Sequence, residues 1–308
     1  MAVGIRVGLT YGAMSPSRDD DREDLLAFAQ QVEALGFSTL WMPSEFSWDV
    51  MVALSAVVDA TDRLELGSTA LPIFSRHPVL MAQEALSLST VCGGRFTLGL
   101  GLSHKMIVEE IMGLSYDRPV AHMEEYLSVL VPLLNRELSR HQGERYRVSV
   151  ELSVPGEYGV PLVVSASGRH MLKLAGQYAD GVHAWLVGIR SFQSHVMPCL
   201  TRAADEMNRK RPRVIVGLPI AITDDVARLK QQIDAQYELQ GLMPSHRSML
   251  DREGAERVSD IALVGSEDEV EEKIRAFAEA GMTDFNGSIV GSDEEALART
   301  FDFLGQRF

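Results

Sequence analysis

Eight short apolar segments, each followed by a pattern typical of a helix, run along nearly the whole of this 308-residue chain. Strands that alternate with helices in this way form a parallel sheet, and eight such units close into a (β/α)8 TIM barrel, an α/β fold. Barrels of roughly 250 residues or more commonly form one domain, so we expect a single domain over residues 1–308. The active site of such a barrel lies at the carboxyl ends of its strands. Function is therefore expected in the residues that follow each apolar segment.

The predicted strands are short and apolar, and turn residues bound them, as expected for strands buried in a parallel sheet. Helical periodicity, with capping residues at the start and glycine at the end, predicts the helices between them. The first helix is expected to be capped by Asp19, Asp20 or Asp21. The eight predicted strands are residues 5–9, 39–42, 64–69, 96–100, 162–165, 181–186, 214–222 and 284–290.

Two insertions are expected, one after strand four and one after strand seven. The first begins with a helix near residues 117–119, and residues 143–159 then alternate apolar with polar side chains. This alternation predicts an exposed antiparallel hairpin rather than a barrel strand. The second insertion, residues 241–259, carries His246.

Composition and charge exclude several classes of protein. Hydrophobic residues make up 46% of the chain and charged residues 23%, as in an ordinary globular protein. The formal net charge of −14 argues against nucleic-acid binding, because phosphate backbones are held by clusters of Lys and Arg. No uncharged run approaches the roughly 18 residues of a membrane helix, and residues 1–9 lack the pattern of a signal peptide. We therefore expect a cytoplasmic protein with no membrane partner.

The cysteines and histidines form no pattern typical of a metal site. Cys92 and Cys199 occur singly in apolar, helix-like surroundings, which favours buried structural thiols. The histidines are scattered, without a His-x-x-x-His pair, and no Gly-x-Ser-x-Gly elbow occurs. We expect neither a bound metal ion nor a serine-hydrolase triad.

The end of strand four is an informative position. Gly99 and Gly101 match part of a dinucleotide-binding pattern, but His104 takes the place of its third glycine. The glycines either pack closely inside a tapered barrel or let a flat ring approach the backbone. Ser103 and His104 follow, and the position makes His104 a candidate for proton transfer. The alternative is a helix-capping serine beside an exposed histidine.

Ser165, Ser167, Gly168 and Arg169 follow strand five and open a helix. Hydroxyl groups, free amides at a helix N-terminus and the helix dipole together favour an anion. Gly188 follows the next strand on the neighbouring part of the rim. An ordinary N-cap is the alternative interpretation. The segment therefore predicts a site for the phosphate of a planar cofactor.

Strands two and three also end in polar residues. Ser44 and Glu45 follow strand two and bring a hydroxyl and a carboxylate to the same end of the barrel. Ser68 and Thr69 end strand three, and a loop bracketed by two prolines follows, in which Arg76 is expected to bring positive charge to the rim.

Several short motifs, in their order and spacing, resemble the luciferase-like flavin and deazaflavin oxidoreductases over nearly the whole chain. Within this family the chain is most similar to the branch that uses the deazaflavin coenzyme F-420. The resemblance implies an eight-stranded barrel, usually dimeric, with the cofactor ring across the strand ends. The motifs are GluAlaLeuGlyPhe at 33–37, Arg76-His77-Pro78, the segment from Gly94 to Gly101, Tyr116-Asp117-Arg118-Pro119 with Glu125-Tyr126-Leu127, and Ala179-Asp180-Gly181.

The resemblance also implies roles for individual residues. Ser44 and Glu45 match the place of a cofactor-contacting acid or histidine. His104 lies near the place of an acid that helps to protonate the substrate in one branch. A non-proline cis peptide is often found behind the ring, at the place of Ser68-Thr69. The region that holds the cofactor phosphate is matched by Ser165, Ser167, Gly168 and Arg169, with Gly188 opposite.

These observations favour hydride transfer between coenzyme F-420 and a small organic substrate, with His104 as the expected proton partner and Glu45 next. One alternative is an FMN-dependent monooxygenase that uses molecular oxygen, and another is a non-catalytic flavin or deazaflavin carrier. Aldolase-type chemistry would need a rim lysine, for which Lys105 is a weak candidate. A homodimer is expected from the resemblance. The apolar residues of helices two and three would either bury its interface or face the barrel.

Overall fold

The computed structural model describes residues 4–12, 21–291 and 294–307. Eight parallel strands pair in chain order, and the last pairs with the first, so the sheet closes into the predicted TIM barrel. The predicted bounds are confirmed for two strands and lie within one residue for the others. The strands are β1 (Arg6–Thr10), β2 (Thr39–Met42), β3 (Glu65–Ser68), β4 (Phe96–Gly101), β5 (Leu162–Ser165), β6 (Gly181–Trp185), β7 (Arg213–Ile222) and β8 (Asp284–Ile289).

Helices surround the barrel and connect its strands. Asp21 caps the first helix in a capping box with Asp24, and the other two predicted caps, Asp19 and Asp20, lie outside the described residues. The helices are α1 (Arg22–Ala34), α2 (Val50–Val57), α3 (Pro78–Val91), α4 (Pro119–Leu134), α5 (Arg169–Tyr178), α6 (Met197–Glu206), α7 (Val226–Gln236), α8 (Glu238–Leu242), α9 (Pro244–Glu253), α10 (Glu267–Glu279) and α11 (Glu294–Arg307).

The hairpin after β4 lies earlier in the chain than predicted. Its strands are Ser139–Gln142 and Arg147–Val150, so the predicted segment 143–159 begins in the turn. Glu125 on α4 determines the turn, because its carboxylate accepts the backbone amides of residues 144, 145 and 146. The first strand is largely polar, and its apolar alternation was therefore too weak to predict it.

A short strand between the β7 insertion and β8 was not predicted. This strand, Leu263–Gly265, pairs in parallel with the last three residues of β7. It lies on the same side of β7 as β6, which pairs only with the earlier residues of β7. β7 is ten residues long and so extends beyond β6 at the carboxyl end of the barrel. A strand of three residues is too short for a periodicity signal.

The lower part of the barrel is filled by an ion network and a tryptophan. Arg213 donates to Glu65 at 2.6 Å and to Asp284 at 2.9 Å, so the amino end of the barrel is closed. Burial alone would raise the pKa of Glu65, but the Arg213 guanidinium holds it below its ordinary value. Trp41 lies above this network, where Gly8 provides room for its ring. Among the described residues, the amino end of the barrel is therefore filled by side chains, which favours ligand entry from the carboxyl ends of the strands.

The apolar residues of α2 and α3 mostly face the barrel, so only the few that point outward are available for an interface between subunits. Val52, Leu80 and Val91 are these outward-facing exceptions, 62%, 53% and 64% exposed. Cys92 is buried as predicted, whereas Cys199 is only half-buried. In the part of the chain that the structure describes, no helix is long and apolar enough to cross a membrane. The buried residues of the two helices are Met51, Leu54, Val57, Met81, Leu86 and Leu88.

Candidate active site

The carboxyl ends of the strands form the mouth of the barrel, and part of the chain after β7 lies across it. We call residues 237–253, which include α8 and α9, the β7 insertion. The hydroxyl of Tyr237 is 2.6 Å from that of Ser288 on β8. The indole nitrogen of Trp185, at the end of β6, donates to the side chain of Gln240 at 3.0 Å. The β7 insertion is therefore bound to two strand ends.

A neutral polar group forms the floor of the mouth. Thr10 donates to the side-chain oxygen of Asn286 at 2.9 Å, and the Asn286 amide donates to Nε2 of His183 at 3.1 Å. Burial lowers the pKa of His183 to about 4, so its ring is neutral at pH 7. Trp185 stacks on the same ring at a centroid distance of 6.2 Å. The floor beneath the mouth is thus buried and uncharged.

His104 stands at the mouth, as the sequence predicts. The preceding residue, Ser103, has a φ of 55°, in the left-handed region, and its carbonyl accepts the hydroxyl of Tyr116 at 3.3 Å. The ring of His104 meets that of His246 edge to face, with centroids 5.3 Å apart. Burial lowers the pKa of His104 below its ordinary value. The ring is therefore a neutral group, able to accept a proton, at neutral pH.

Glu45 is at the mouth as well, beside the β7 insertion. Its side chain reaches solvent, yet the surrounding protein partly desolvates the carboxyl group and raises its pKa. Burial, with a smaller contribution from the Glu45 charge, raises the pKa of Tyr237 to about 12. Ser44 is exposed on the same loop. Burial thus raises the pKa of Glu45 and lowers that of His104, which favours the uncharged form of each group.

The end of β3 differs in detail from the expectation. The hydroxyl of Ser68 is buried and makes two hydrogen bonds with the backbone of Gly99. It donates to the Gly99 carbonyl at 3.0 Å and accepts from the Gly99 amide at 2.7 Å. The cis peptide joins Thr69 to Ala70, one bond later than the predicted Ser68-Thr69 bond. Thr69 still donates its amide to Met42 of β2 at 2.9 Å, so the chain leaves the sheet only after Thr69. Contacts of Ser68 and Thr69 with a cofactor stay predictions.

Gly99 and Gly101 are both closely packed, but against different groups. A Cβ atom on Gly99 would overlap the carbonyl of Ser68, which shows close packing between β3 and β4. A Cβ atom on Gly101 would meet the side chains of Ala70 and Ser165 at 3.3 and 3.6 Å. The packing interpretation therefore fits both glycines, and the approach of a flat ring to the backbone stays a prediction.

The start of α5 is an open, positively charged surface. Gly168 is the N-cap, no side chain caps the helix, and a Cβ on Gly168 would meet nothing within 4 Å. His195 donates to the carbonyl of Ser167 at 3.0 Å. Burial lowers the pKa of His195, and the charges of Arg252 and Arg169 act in the same direction, so both lie nearby. The predicted Ser165 and Ser167 are half-buried beside this surface.

Gly188 lies close to a carboxylate of the protein itself. A Cβ atom on Gly188 would overlap the side chain of Glu253. The Glu253 carboxylate accepts the amides of Arg190 at 3.1 Å and Ser191 at 2.7 Å. These amides are therefore already used, and a contact between Gly188 and a cofactor stays a prediction.

The loop after β3 brings aromatic rings, rather than free positive charge, to the rim. The prediction for Arg76 was wrong, because its guanidinium is paired with Asp49 and Glu84. Phe74 instead stacks on Tyr116 at a centroid distance of 5.2 Å and an angle of 27°. No local pattern indicated this wall or the contacts of Trp185, because the partners lie in parts of the chain that are far apart in sequence.

Comparison with known proteins identifies the family. The family model described as luciferase-like monooxygenase matches residues 1–284. A Mycobacterium tuberculosis protein, whose name assigns it provisionally to the coenzyme F-420-dependent oxidoreductases, is 26% identical over 200 residues. This match covers 60% of the present chain and 56%, little more than half, of that relative.

Two solved structures share the fold. The coenzyme F-420-dependent tetrahydromethanopterin reductase from Methanopyrus kandleri has a TM-score of 0.83, with 20% identity over 98% of each chain. The oxygenating constituent of 3,6-diketocamphane monooxygenase from Pseudomonas putida, in complex with FMN, has a TM-score of 0.79 and 17% identity, over 98% of this chain and 97% of that one. Because the family model matches most of the chain, the protein belongs to the luciferase-like monooxygenase family.

Proposed function

We propose that the protein is an oxidoreductase that transfers a hydride between coenzyme F-420 and a small organic substrate. The supporting observation is the shared position of three features at one end of the barrel. These are two groups suited to proton transfer, His104 and Glu45, the neutral polar floor, and the open positive surface at the start of α5. A phosphorylated planar cofactor with a proton-coupled substrate needs this combination.

The described residues fit such a cofactor. The uncapped amides at the start of α5, with Arg169 and Arg252 nearby, can hold a phosphate group. Coenzyme F-420, when bound, supplies a carbon that accepts or gives a hydride. The wall formed by Phe74 and Tyr116 helps to exclude water from the mouth.

His104 is the proposed proton-transfer group. In the oxidation of an alcohol, an imidazole nitrogen of His104 would take the hydroxyl proton as the carbonyl forms, and coenzyme F-420 would supply the acceptor for the substrate's hydride. The neutral state of His104 at pH 7 suits this acceptance. In the reverse direction the imidazolium returns the proton to the developing alkoxide. Glu45, whose pKa is raised, can exchange this proton with solvent.

Replacement of His104 tests this role. We expect His104→Ala to keep F-420 binding within about twofold and to lower the rate of hydride transfer by roughly a hundredfold or more. In the wild type, alcohol oxidation should decline only below about pH 6.5, because burial lowers the pKa of His104. The measurement is F-420 absorbance during turnover of an alcohol and ketone panel from pH 5 to 9. Unchanged turnover in His104→Ala would exclude the role.

An FMN-dependent monooxygenase is the second candidate, since a protein of the same fold is known in complex with FMN. Oxygen consumption with reduced FMN, coupled to loss of a substrate, would support it. A non-catalytic carrier would bind F-420 or FMN without turnover of any substrate in the panel.

A further inference from the structure

The histidine pair at the mouth joins segments that lie far apart in the chain. His104 follows β4, whereas His246 is the third residue of α9 in the β7 insertion. The two ring planes meet at 77°, with centroids 5.3 Å apart. Within the described ranges, the ring of His104 makes no hydrogen bond to a protein group. The aromatic contact that the described residues give this ring is the one with His246.

His246 itself is held in place by the β7 insertion. Its Nδ1 donates to the backbone carbonyl of Gln240 at 2.9 Å. The side chain of Gln240 is bound in turn to Trp185 at the end of β6. One turn earlier, Tyr237 is bound to Ser288 on β8. The His246 ring is thus connected to two strands of the barrel through fixed hydrogen bonds.

The charges around the pair leave both rings neutral at neutral pH. Burial lowers the pKa of His246 to about 4, and a charge on His104 would lower it further. Lys105, the adjacent cation, is paired with Glu109 at 3.6 Å, and Tyr116 is a neutral phenol whose pKa burial raises. His246 therefore acts on His104 by contact and burial rather than by charge.

We propose that His246 is a positioning residue, which holds the imidazole of His104 in the orientation that exchanges a proton with the substrate. This inference rests on the proposed function, in which His104 is the proton-transfer group. His246 acts through His104 and takes up no proton itself. The β7 insertion, outside the regular barrel, thereby becomes part of the catalytic machinery.

The first test uses the cofactor-free protein. Imidazole signals are followed by NMR against pH in the wild type, His246→Ala, His246→Phe and, as a control, His141→Ala, which removes a half-buried histidine of the hairpin. We expect the pKa of His104 to rise toward about 6.5 in His246→Ala, because the ring loses the neighbour that buries it. His246→Phe keeps an aromatic edge against the ring and should therefore change the pKa of His104 less. An unchanged His104 titration in His246→Ala would overturn the proposal.

The second test is kinetic. His246→Ala should lower kcat about tenfold while KM and the F-420 dissociation constant stay within about twofold, because only the orientation of the proton acceptor changes. His246→Phe should recover most of the lost kcat, and His141→Ala should match the wild type. Equal losses of kcat and F-420 affinity would indicate a folding defect and overturn the proposal. If the wild type transfers no hydride, the proposed function fails, and the NMR titration alone decides whether His246 orients His104.

Discussion

Gly99 and Gly101 stand two positions apart on β4 and have different requirements for glycine. The backbone of Ser68 leaves no room for a side chain at Gly99, whereas a Cβ atom on Gly101 would meet the side chains of Ala70 and Ser165 at 3.3 and 3.6 Å. Because side chains can move aside more readily than backbone, the same substitution should have different effects at the two places.

We expect Gly99→Ala to lower the free energy of unfolding by about 2 kcal/mol, because the strands β3 and β4 must separate to admit the methyl group. Gly101→Ala should lower this free energy less, by about 1 kcal/mol, because its methyl group would meet side chains rather than backbone. It should also weaken F-420 binding about tenfold, because Gly101 ends β4 at the mouth where the ring is proposed to lie. Denaturant unfolding and F-420 titration of both variants measure the two effects. A stable Gly99→Ala protein, or full F-420 affinity in Gly101→Ala, would contradict this account.

The residue types that follow the predicted strands were sufficient to place His104, Glu45 and the start of α5 at the mouth. They were not sufficient to show what these residues contact. The contact between His104 and His246 depends on the path of the β7 insertion, which no local pattern encodes. The same holds for Arg76, whose charge is neutralised by carboxylates on α2's N-cap and on α3.

At the scale of elements, the hairpin after β4 depends on one carboxylate. Burial alone would raise the pKa of Glu125, but backbone amides of the turn hold it below its ordinary value. A lowered pKa means that the stabilisation is present above the pKa of the unfolded chain and is lost as the pH falls through the folded pKa. The hairpin should therefore loosen below about pH 4.

We expect Glu125→Gln to lower the free energy of unfolding by about 1.5 kcal/mol, because the charged acceptor of three amides is lost. Glu124→Gln, at the exposed neighbouring position, is the matched control and should leave stability unchanged. Hydrogen exchange of amides 144–146 between pH 3 and 7 reports the local effect. Equal exchange in the two variants would show that Glu125 does not hold the turn.

Elements with strong local signals were predicted well, and those stabilised by tertiary contacts were not. α3 has the predicted bounds because Pro78 starts it and the Gly93-Gly94 turn follows its last residues. Leu263–Gly265 forms a strand only because β7 extends past β6 and offers an open edge. A segment of three residues is too short for its own sequence pattern to indicate such a tertiary contact.

At the scale of the whole molecule, the outward faces of α2 and α3 are the expected dimer interface. Val52 and Leu80 are exposed there, although their apolar neighbours are buried in the same chain. We expect light scattering to give twice the chain mass of 34.0 kDa. Joint Val52→Glu and Leu80→Glu substitutions should give monomers, because association would bury two charges. Met207→Glu, at another exposed apolar residue, should leave the dimer intact. A monomeric wild type would contradict the expectation.

The central claim is that the mouth of this barrel binds coenzyme F-420, and equilibrium titration tests it most directly. Purified cofactor-free protein is titrated with F-420 and, separately, with FMN while fluorescence is followed. The account predicts a dissociation constant on the order of 1 μM for F-420, about −8 kcal/mol, and weaker binding of FMN. Arg252→Ala should weaken F-420 binding by removing a cation near the start of α5. Preference for FMN, or binding of neither cofactor, would contradict the account.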